Sequence, residues 1–192
     1  MFIVIEGIDG SGKTSLSNNL VNKLNELGKS STRFSEPTSF ESGKYIRKFL
    51  KGDILLSKKE QIDAFIFDRE ISVLKNIKPA LQDNKIVVLD RYYYSTAAYQ
   101  ASEDFSPEEI LNLNLEKKFP KPDLLFYINI QPELAYKRIS SRNDQKEIFE
   151  SIDELTKINS NFHTVLPSTK IILDGLLSEN ELVNSCLKHI LI

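Results

Sequence analysis

The stretch F-I-V-I-E-G-I-D-G-S-G-K-T, residues 2–14, decides how the chain folds. It begins with four apolar residues, as a buried strand does, and then matches the phosphate-loop pattern G-x-x-x-x-G-K-[ST]. In such a loop the glycines let the backbone turn its N–H groups inward, and the next helix adds the positive end of its dipole. The predicted phosphate-binding residues are Gly7, Ile8, Asp9, Gly10, Ser11, Gly12, Lys13 and Thr14.

Two side chains of this loop have predicted roles with a nucleoside triphosphate. Lys13 is expected to reach the β- and γ-phosphates, and Thr14 to offer its hydroxyl to Mg²⁺. A phosphate loop occurs in kinases, GTPases, ATPases and switch proteins alike. The sequence has no N-K-x-D motif, the guanine-reading signature expected late in a GTPase. The second ligand must therefore be inferred from residues elsewhere in the chain.

Outward from the loop, short apolar runs alternate with longer helical patterns. This alternation predicts one α/β domain over residues 1–192 with a mostly parallel sheet. The predicted strands are residues 2–5, 32–35, 86–89, 124–130 and 170–173. Three helix starts carry a Ser-x-x-Glu capping box, at Ser57, Ser106 and Ser178. The segment 57–81 is predicted to be one long helix, broken late at Pro79.

The composition limits the classes of function. The chain has 192 residues, 41% of them hydrophobic, and its formal charge of -2 argues against bulk nucleic-acid binding. One cysteine, Cys186, excludes an intrachain disulfide, which fits a reducing compartment. No apolar stretch approaches the ~20 residues of a membrane span, and the N-terminus lacks a signal-peptide pattern. We therefore expect a cytoplasmic protein without nucleic-acid or membrane partners.

Arginines near strand exits predict a second anionic ligand. Ligands of parallel α/β sheets bind at the carboxyl ends of the strands, and the third predicted strand ends in Asp90 and Arg91. The carboxylate of Asp90 is suited to hold Mg²⁺ through water, and the guanidinium of Arg91 to bridge two phosphates. The further candidates for anion binding are Arg47, Arg69, Arg138 and Arg142.

An acceptor that itself carries a phosphate explains why several arginines lie near the strand exits. Phosphoryl transfer depends on positioning and charge stabilisation. A phosphate monoester is already mostly anionic at pH 7, so it needs no base but must be shielded from the charge of the donor. Phe65, Tyr92 and Tyr99 are candidates to sandwich a base, whereas Phe67 is predicted to pack in the core.

Three segments together resemble the thymidylate kinase family. They are D-R-Y-x-x-S-x-x-A-Y-Q at 90–100, E-P-T with G-x-x-I-R at 36–47, and F-x-x-D-R at 65–69. The short lid and simple phosphate loop are most similar to archaeal members. The resemblance implies a P-loop NTPase-type three-layer α/β/α fold with a five-stranded parallel sheet and a short helical lid at about 138–150. It also implies a homodimer that phosphorylates dTMP to dTDP with ATP and Mg²⁺ in dTTP synthesis.

The resemblance further implies how the acceptor is bound. Asp9 would hydrogen-bond the 3′-hydroxyl of dTMP, and Phe65 would stack on thymine while Arg69 contacts its O4 edge. Tyr99 would lie under the sugar, where it disfavours a 2′-hydroxyl. The implied acceptor-binding residues are Asp9, Glu36, Arg47, Phe65, Arg69, Arg91, Thr96, Tyr99 and Gln100, with Thr96 and Gln100 near the base.

The resemblance also implies how phosphate is transferred. Arg47 and Arg91 would hold the acceptor phosphate, and Arg91 would also lie near the transferred group. Arg138 and Arg142 would belong to the lid that closes over ATP. The implied catalytic residues are Lys13, Arg91 and Arg142, and the implied metal ligands are Thr14 and Asp90.

Two departures from the family pattern concern cations. The family usually has arginine before Glu-Pro, where this chain has Ser35, so Arg33 or Lys44 would have to substitute. The lid lacks the usual Asp-Arg pair and reads N-D-Q-K-E-I-F at 143–149. Arg142 is the best candidate there for the catalytic cation, and Lys146 is a weaker one.

Three other functions remain open at this stage. A deoxynucleoside kinase would use Glu36 as a base, but that class typically has E-R-S where this chain has D-R-Y at 90–92. A kinase of UMP or dUMP would have to tolerate Tyr99. A nucleotide-binding regulator without catalysis is disfavoured by Lys13, Asp90 and Arg91.

Overall fold

The computed structural model describes residues 1–141 and 148–191. Within these residues the strands form one five-stranded parallel sheet in the order β2-β3-β1-β4-β5. The strands are β1 (Phe2–Glu6), β2 (Ser31–Ser35), β3 (Ile86–Asp90), β4 (Leu124–Asn129) and β5 (Ile171–Asp174). The predicted α/β class and five-stranded parallel sheet are confirmed, and each predicted strand boundary lies within one residue of the observed one.

Helices cover both faces of the sheet. They are α1 (Lys13–Glu26), α2 (Glu41–Leu50), α3 (Lys58–Ser72), α4 (Lys78–Gln82), α5 (Tyr93–Gln100), α6 (Pro107–Glu116), α7 (Pro132–Ser140), α8 (Ile152–Val165) and α9 (Glu179–Ile190). On one face Ile3, Ile5 and Val88 pack against apolar side chains of α1 and α9. On the other face Val4 and Leu89 pack in a larger core with residues from the remaining helices. These two cores produce the expected three layers.

Helix termini follow the local sequence signals. All three predicted capping boxes form, with Ser57, Ser106 and Ser178 each accepting a hydrogen bond from the backbone N–H of the glutamate three residues later. The expected break at Pro79 is wrong. A π-helical turn, Val73–Ile77, precedes the proline, and the helix continues to Gln82. The wider turn accommodates a residue that has no N–H to donate.

The carboxyl ends of three adjacent strands meet where the predicted chemistry lies. Asp90 at the end of β3 is in register with Ile5 of β1 on one side and Ser35 of β2 on the other. The phosphate loop follows β1 directly, and Arg91 follows β3. Among the described residues, no helix is both long and apolar enough to cross a membrane.

Candidate active site

The phosphate loop requires glycine at several positions, among them Gly10 and Gly12. Gly10 has φ +78°, and a Cβ there would lie 2.4 Å from the carbonyl oxygen of Ala135 in α7. Gly12 has φ +98° and caps the start of α1. The ammonium of Lys13 folds back over the loop and donates to the carbonyl oxygen of Ile8 at 2.8 Å. Burial, and secondarily the charge of Arg91, lower the pKa of Lys13 to about 8, so bound phosphate would stabilise its charged form.

The two predicted metal ligands meet at the start of α1. The hydroxyl of Thr14 donates to Oδ2 of Asp90 at 2.8 Å. Hydroxyl and carboxylate oxygens are the hard ligands that Mg²⁺ prefers, with phosphate oxygens and water completing its shell. Asp90 also accepts from the guanidinium of Arg33, at 2.9 Å from Nη2 to Oδ2. This pair therefore fits Mg²⁺ chemistry, with an additional cation beside it.

A cavity of about 190 Å³ opens next to the phosphate loop. It extends from Asp9 and Arg91 to the side chains of α3 and α5. All nine predicted acceptor-binding residues line it: Asp9, Glu36, Arg47, Phe65, Arg69, Arg91, Thr96, Tyr99 and Gln100. Residues that lie up to 91 positions apart in the sequence thus surround one volume, as a small ligand requires.

Arg91 lies between the loop and this cavity. Its backbone is left-handed, with φ +69°. Its guanidinium pairs with the carboxylate of Asp9 and donates to the hydroxyl of Tyr99 at 3.2 Å. Burial lowers the pKa of Arg91, but the interactions with Asp9, Tyr99 and Asp90 together outweigh it and the net shift is well upward. The guanidinium therefore stays charged at any physiological pH.

Arg69 is held by three partners at the closed end of the cavity. Its guanidinium donates to Glu36 at 2.8 Å, to Asn114 at 2.6 Å and to Thr96 at 3.0 Å, and its side chain is 1% exposed. Asn114 lies in α6 and in turn donates to the carbonyl oxygen of Ile110. These contacts fix the guanidinium in one orientation, which suits a residue that reads the edge of a base.

Two other polar groups at this end have unused hydrogen-bonding capacity. Among the described residues, neither amide atom of Gln100 has a partner, and the same holds for Oε1 of Glu36. Burial raises the pKa of Glu36. Buried polar groups are normally satisfied, so these atoms are suited to a polar ligand in the cavity.

Arg47 stabilises the segment that follows β2. Its guanidinium donates to the carbonyl oxygens of Pro37 and Thr38. Asp68 of α3 accepts from the backbone N–H of Thr38 at 2.7 Å. Arg47, one of the two arginines predicted to hold the acceptor phosphate, therefore lines the cavity. Both of its terminal nitrogens, however, donate hydrogen bonds to the backbone of the cavity wall.

A second cavity of about 330 Å³ lies on the other side of the loop. Gly10, Ser11 and Gly12 line it together with Arg138. Arg138 donates to the carbonyl oxygen of Gly175 at 2.9 Å, which ties α7 to the segment after β5. The two cavities thus flank the phosphate loop, as separate donor and acceptor sites must.

Comparison with known proteins agrees with this geometry. The family model described as thymidylate kinase matches residues 5–186. The chain belongs to the thymidylate kinase family. It is 52% identical over 188 residues to the thymidylate kinase of Leptospira borgpetersenii serovar Hardjo-bovis (strain L550), covering 98% of this chain and 92% of that protein.

More distant members of the thymidylate kinase family also match most of the chain. The probable thymidylate kinase of Archaeoglobus fulgidus is 37% identical over 175 residues, covering 91% of this chain and 87% of that protein. The thymidylate kinase of Brachyspira hyodysenteriae (strain ATCC 49526 / WA1) is 37% identical over 165 residues, covering 84% and 80%. The resemblance found in the sequence motifs is therefore confirmed, and an archaeal relative is among the matches.

Sequence reasoning about this thymidylate kinase family member missed several site residues. Asn114 gave no signal, because an asparagine on an amphipathic helix is usually solvated. Phe149 lines the acceptor cavity and packs edge-to-face on Tyr99, with ring centroids 5.6 Å apart. Gly175 follows the fifth strand, so the rule that ligands bind at strand exits points to it.

One aromatic prediction is wrong, and two candidates stay untested. Phe67, predicted in the core, is 57% exposed because Ile66 and Arg69 take the buried face of α3. Arg142 and Lys146 lie outside the described residues, so the source of the lid cation stays a prediction.

Proposed function

We propose that this thymidylate kinase family member transfers the γ-phosphoryl group of ATP to the phosphate of dTMP, forming dTDP and ADP, with Mg²⁺. Family membership supports an ATP-dependent phosphotransferase acting on dTMP. The observation that carries the residue assignments is the acceptor cavity, which nine predicted residues line beside the phosphate loop.

On the acceptor side, each wall of the cavity has a distinct task. Asp9 and Tyr99 lie at the sugar, and Phe65 offers a ring for thymine to stack on. Arg69 and Gln100 present donors and an acceptor to the base edge. Crowding by Tyr99, with its hydroxyl bonded to Asp9 at 3.0 Å, would disfavour a 2′-hydroxyl.

On the donor side, the loop holds the triphosphate. Its N–H groups and Lys13 offset the charge of the β- and γ-phosphates, and Arg138 borders the cavity for the donor nucleoside. Thr14 and Asp90 would hold Mg²⁺, which neutralises phosphate charge when bound. Arg142, by sequence pattern alone, would supply the lid cation.

The transfer itself needs positioning rather than a base. An oxygen of the dTMP phosphate attacks the γ-phosphorus of ATP in line. The bond between the γ-phosphorus and the oxygen that bridges it to the β-phosphorus breaks, and ADP leaves. Arg91 lies between the loop and the acceptor cavity, so its guanidinium would offset the charge of both phosphates as they approach. Closure over the nucleotides would exclude water and limit ATP hydrolysis.

The alternatives differ in acceptor. A deoxynucleoside kinase would use Glu36 as a base, but this chain has D-R-Y at 90–92 where that class typically has E-R-S. The decisive experiment incubates the protein with ATP, Mg²⁺ and a panel of dTMP, dUMP, UMP and thymidine, and measures the phosphorylated products. We expect dTDP to form fastest. Phosphorylation of thymidine but not dTMP would contradict the proposal, and equal turnover of UMP would contradict the role of Tyr99.

Two further properties, the oligomeric state and the cellular location, are also proposed. We propose a homodimer, because Phe67 and Leu74, seven residues apart on the long helical segment, are 57% and 66% exposed. We also propose a cytoplasmic location, which fits the free and buried thiol of Cys186.

A further inference from the structure

Arg33 occupies a place in the sheet that an apolar residue would normally fill. It lies in the middle of the edge strand β2, in register with Val88 of β3. Its side chain is 23% exposed, although a charged group in such a position loses solvation and needs a close partner. The partners of this guanidinium therefore indicate why the residue is there.

The guanidinium of Arg33 contacts one residue of α1 and one residue of the active site. Its Nε donates to the hydroxyl of Ser17 in α1 at 2.7 Å, and its Nη2 donates to Oδ2 of Asp90 at 2.9 Å. The hydroxyl of Thr14 donates to that same oxygen at 2.8 Å. Two donors thus share one carboxylate oxygen, and one of them carries a full positive charge.

The other candidate for the missing cation lies elsewhere. Lys44 pairs with Glu41 at 2.6 Å on α2, where both side chains are more than half exposed. Ser35 is in register with Asp90, but its side chain carries no charge. Arg33, two residues earlier on the same face of β2, is the cation that contacts the carboxylate of Asp90.

We propose that Arg33 sets the balance between divalent cation and triphosphate at the phosphate loop. Its fixed charge weakens the binding of a divalent cation at Thr14 and Asp90 and strengthens the binding of a metal-free triphosphate. Both effects are Coulombic, because the same positive charge repels the dication and attracts the polyanion. The inference rests on the proposed placement of Mg²⁺ at these two residues.

The test measures two affinities that move in opposite directions. Arg33→Met keeps the length of the side chain and removes the charge. Mn²⁺ binding is titrated by electron paramagnetic resonance on the full chain with a non-hydrolysable ATP analogue bound. Binding of the same analogue is titrated in the presence of EDTA. We expect Mn²⁺ to bind about tenfold more tightly to the variant, and the metal-free analogue about tenfold more weakly.

Two matched variants isolate the charge at Asp90. Lys44→Met removes a cation from the exposed face of α2 and should change neither affinity. Arg33→Lys keeps the charge without the planar fork, so it should stay closer to the unmodified protein than Arg33→Met does. Arg33→Gln provides a second neutral side chain, in case the methionine variant does not fold.

The outcomes separate this inference from the placement of the metal. Unchanged Mn²⁺ affinity in both neutral variants overturns the role of Arg33, provided that Asp90→Asn weakens Mn²⁺ binding. If Asp90→Asn also leaves Mn²⁺ affinity unchanged, the proposed metal site is itself wrong. A parallel loss of both affinities in both neutral variants overturns the inference too, because it indicates that Arg33 only supports the fold.

Discussion

At the scale of single residues, two arginines that line one cavity differ in what they can do. The guanidinium of Arg91 lies beside Asp9 and Tyr99, between the phosphate loop and the acceptor cavity. The guanidinium of Arg47 donates to the backbone carbonyls of Pro37 and Thr38. Only the first contacts a residue of the phosphate loop, so we expect the two to respond differently to truncation.

Arg91→Ala should reduce kcat by about 10³, because a single arginine that offsets charge during phosphoryl transfer has that order of effect. Arg47→Ala should reduce kcat/KM for dTMP by about tenfold, the value of one hydrogen bond from a charged donor. Steady-state kinetics with varied dTMP at saturating ATP distinguish the two. Arg91→Lys is the control that keeps charge. Equal losses of kcat in the two alanine variants would contradict the assignment.

At the scale of elements, Glu6 joins a strand to a helix. The carboxylate lies at the end of β1 and accepts from the backbone N–H groups of Tyr92 and Ser95 and from the hydroxyl of Ser95, at 2.9, 3.2 and 2.5 Å. It thereby caps α5 from another element, using the N–H groups that a helix start leaves unpaired. Since Arg91 is bonded to Tyr92, the N-cap of α5, this cap also helps to position the arginine.

The pKa of Glu6 makes this cap sensitive to pH. Burial raises the pKa to about 7, although Ser95 and Arg91 act in the opposite direction, whereas the ordinary value is 4.5. Between these values the folded protein binds more protons than the unfolded chain, so the free energy of unfolding falls as pH rises through 7. The total decrease would be about 3 kcal/mol.

Glu6→Gln should remove this part of the pH dependence. The amide keeps an acceptor for the N–H groups of α5 but does not titrate in this range. Chemical denaturation between pH 5 and pH 8 measures the free energy of unfolding of the unmodified protein and of Glu6→Gln. In the difference between the two, the contributions of other groups cancel. Parallel pH profiles would show that Glu6 does not titrate as expected.

At the scale of the whole molecule, the exposed apolar residues bear on whether two copies of the chain associate. The long helical segment exposes Phe67 and Leu74, and this side of the helix is the proposed interface of a symmetric dimer. Lys117, the residue after α6, pairs with Glu70 of α3 at 2.8 Å, so polar contacts border this region.

Phe67→Glu should therefore shift the protein from dimer to monomer, because a buried unpaired charge is costly on each side of a symmetric interface. Light scattering coupled to size-exclusion chromatography measures the mass. Ile172→Glu is the control, since Ile172 is 58% exposed on β5, away from α3. A monomeric unmodified protein, or an unchanged dimer in the Phe67 variant, would contradict the proposed face.

The sequence by itself determined the fold class and the chemistry of this protein. Strands, capping boxes and the phosphate loop depend on residues close together in the chain, so alternation and spacing predict them. The nine acceptor-binding residues were predicted from motifs that resemble one family, and they line one cavity. The tertiary structure alone decided which side chains meet across the sheet. Arg33 and Asp90 lie 57 positions apart, and Arg69 and Asn114 lie 45 apart. Such contacts depend on strand register and helix packing, which no local pattern specifies.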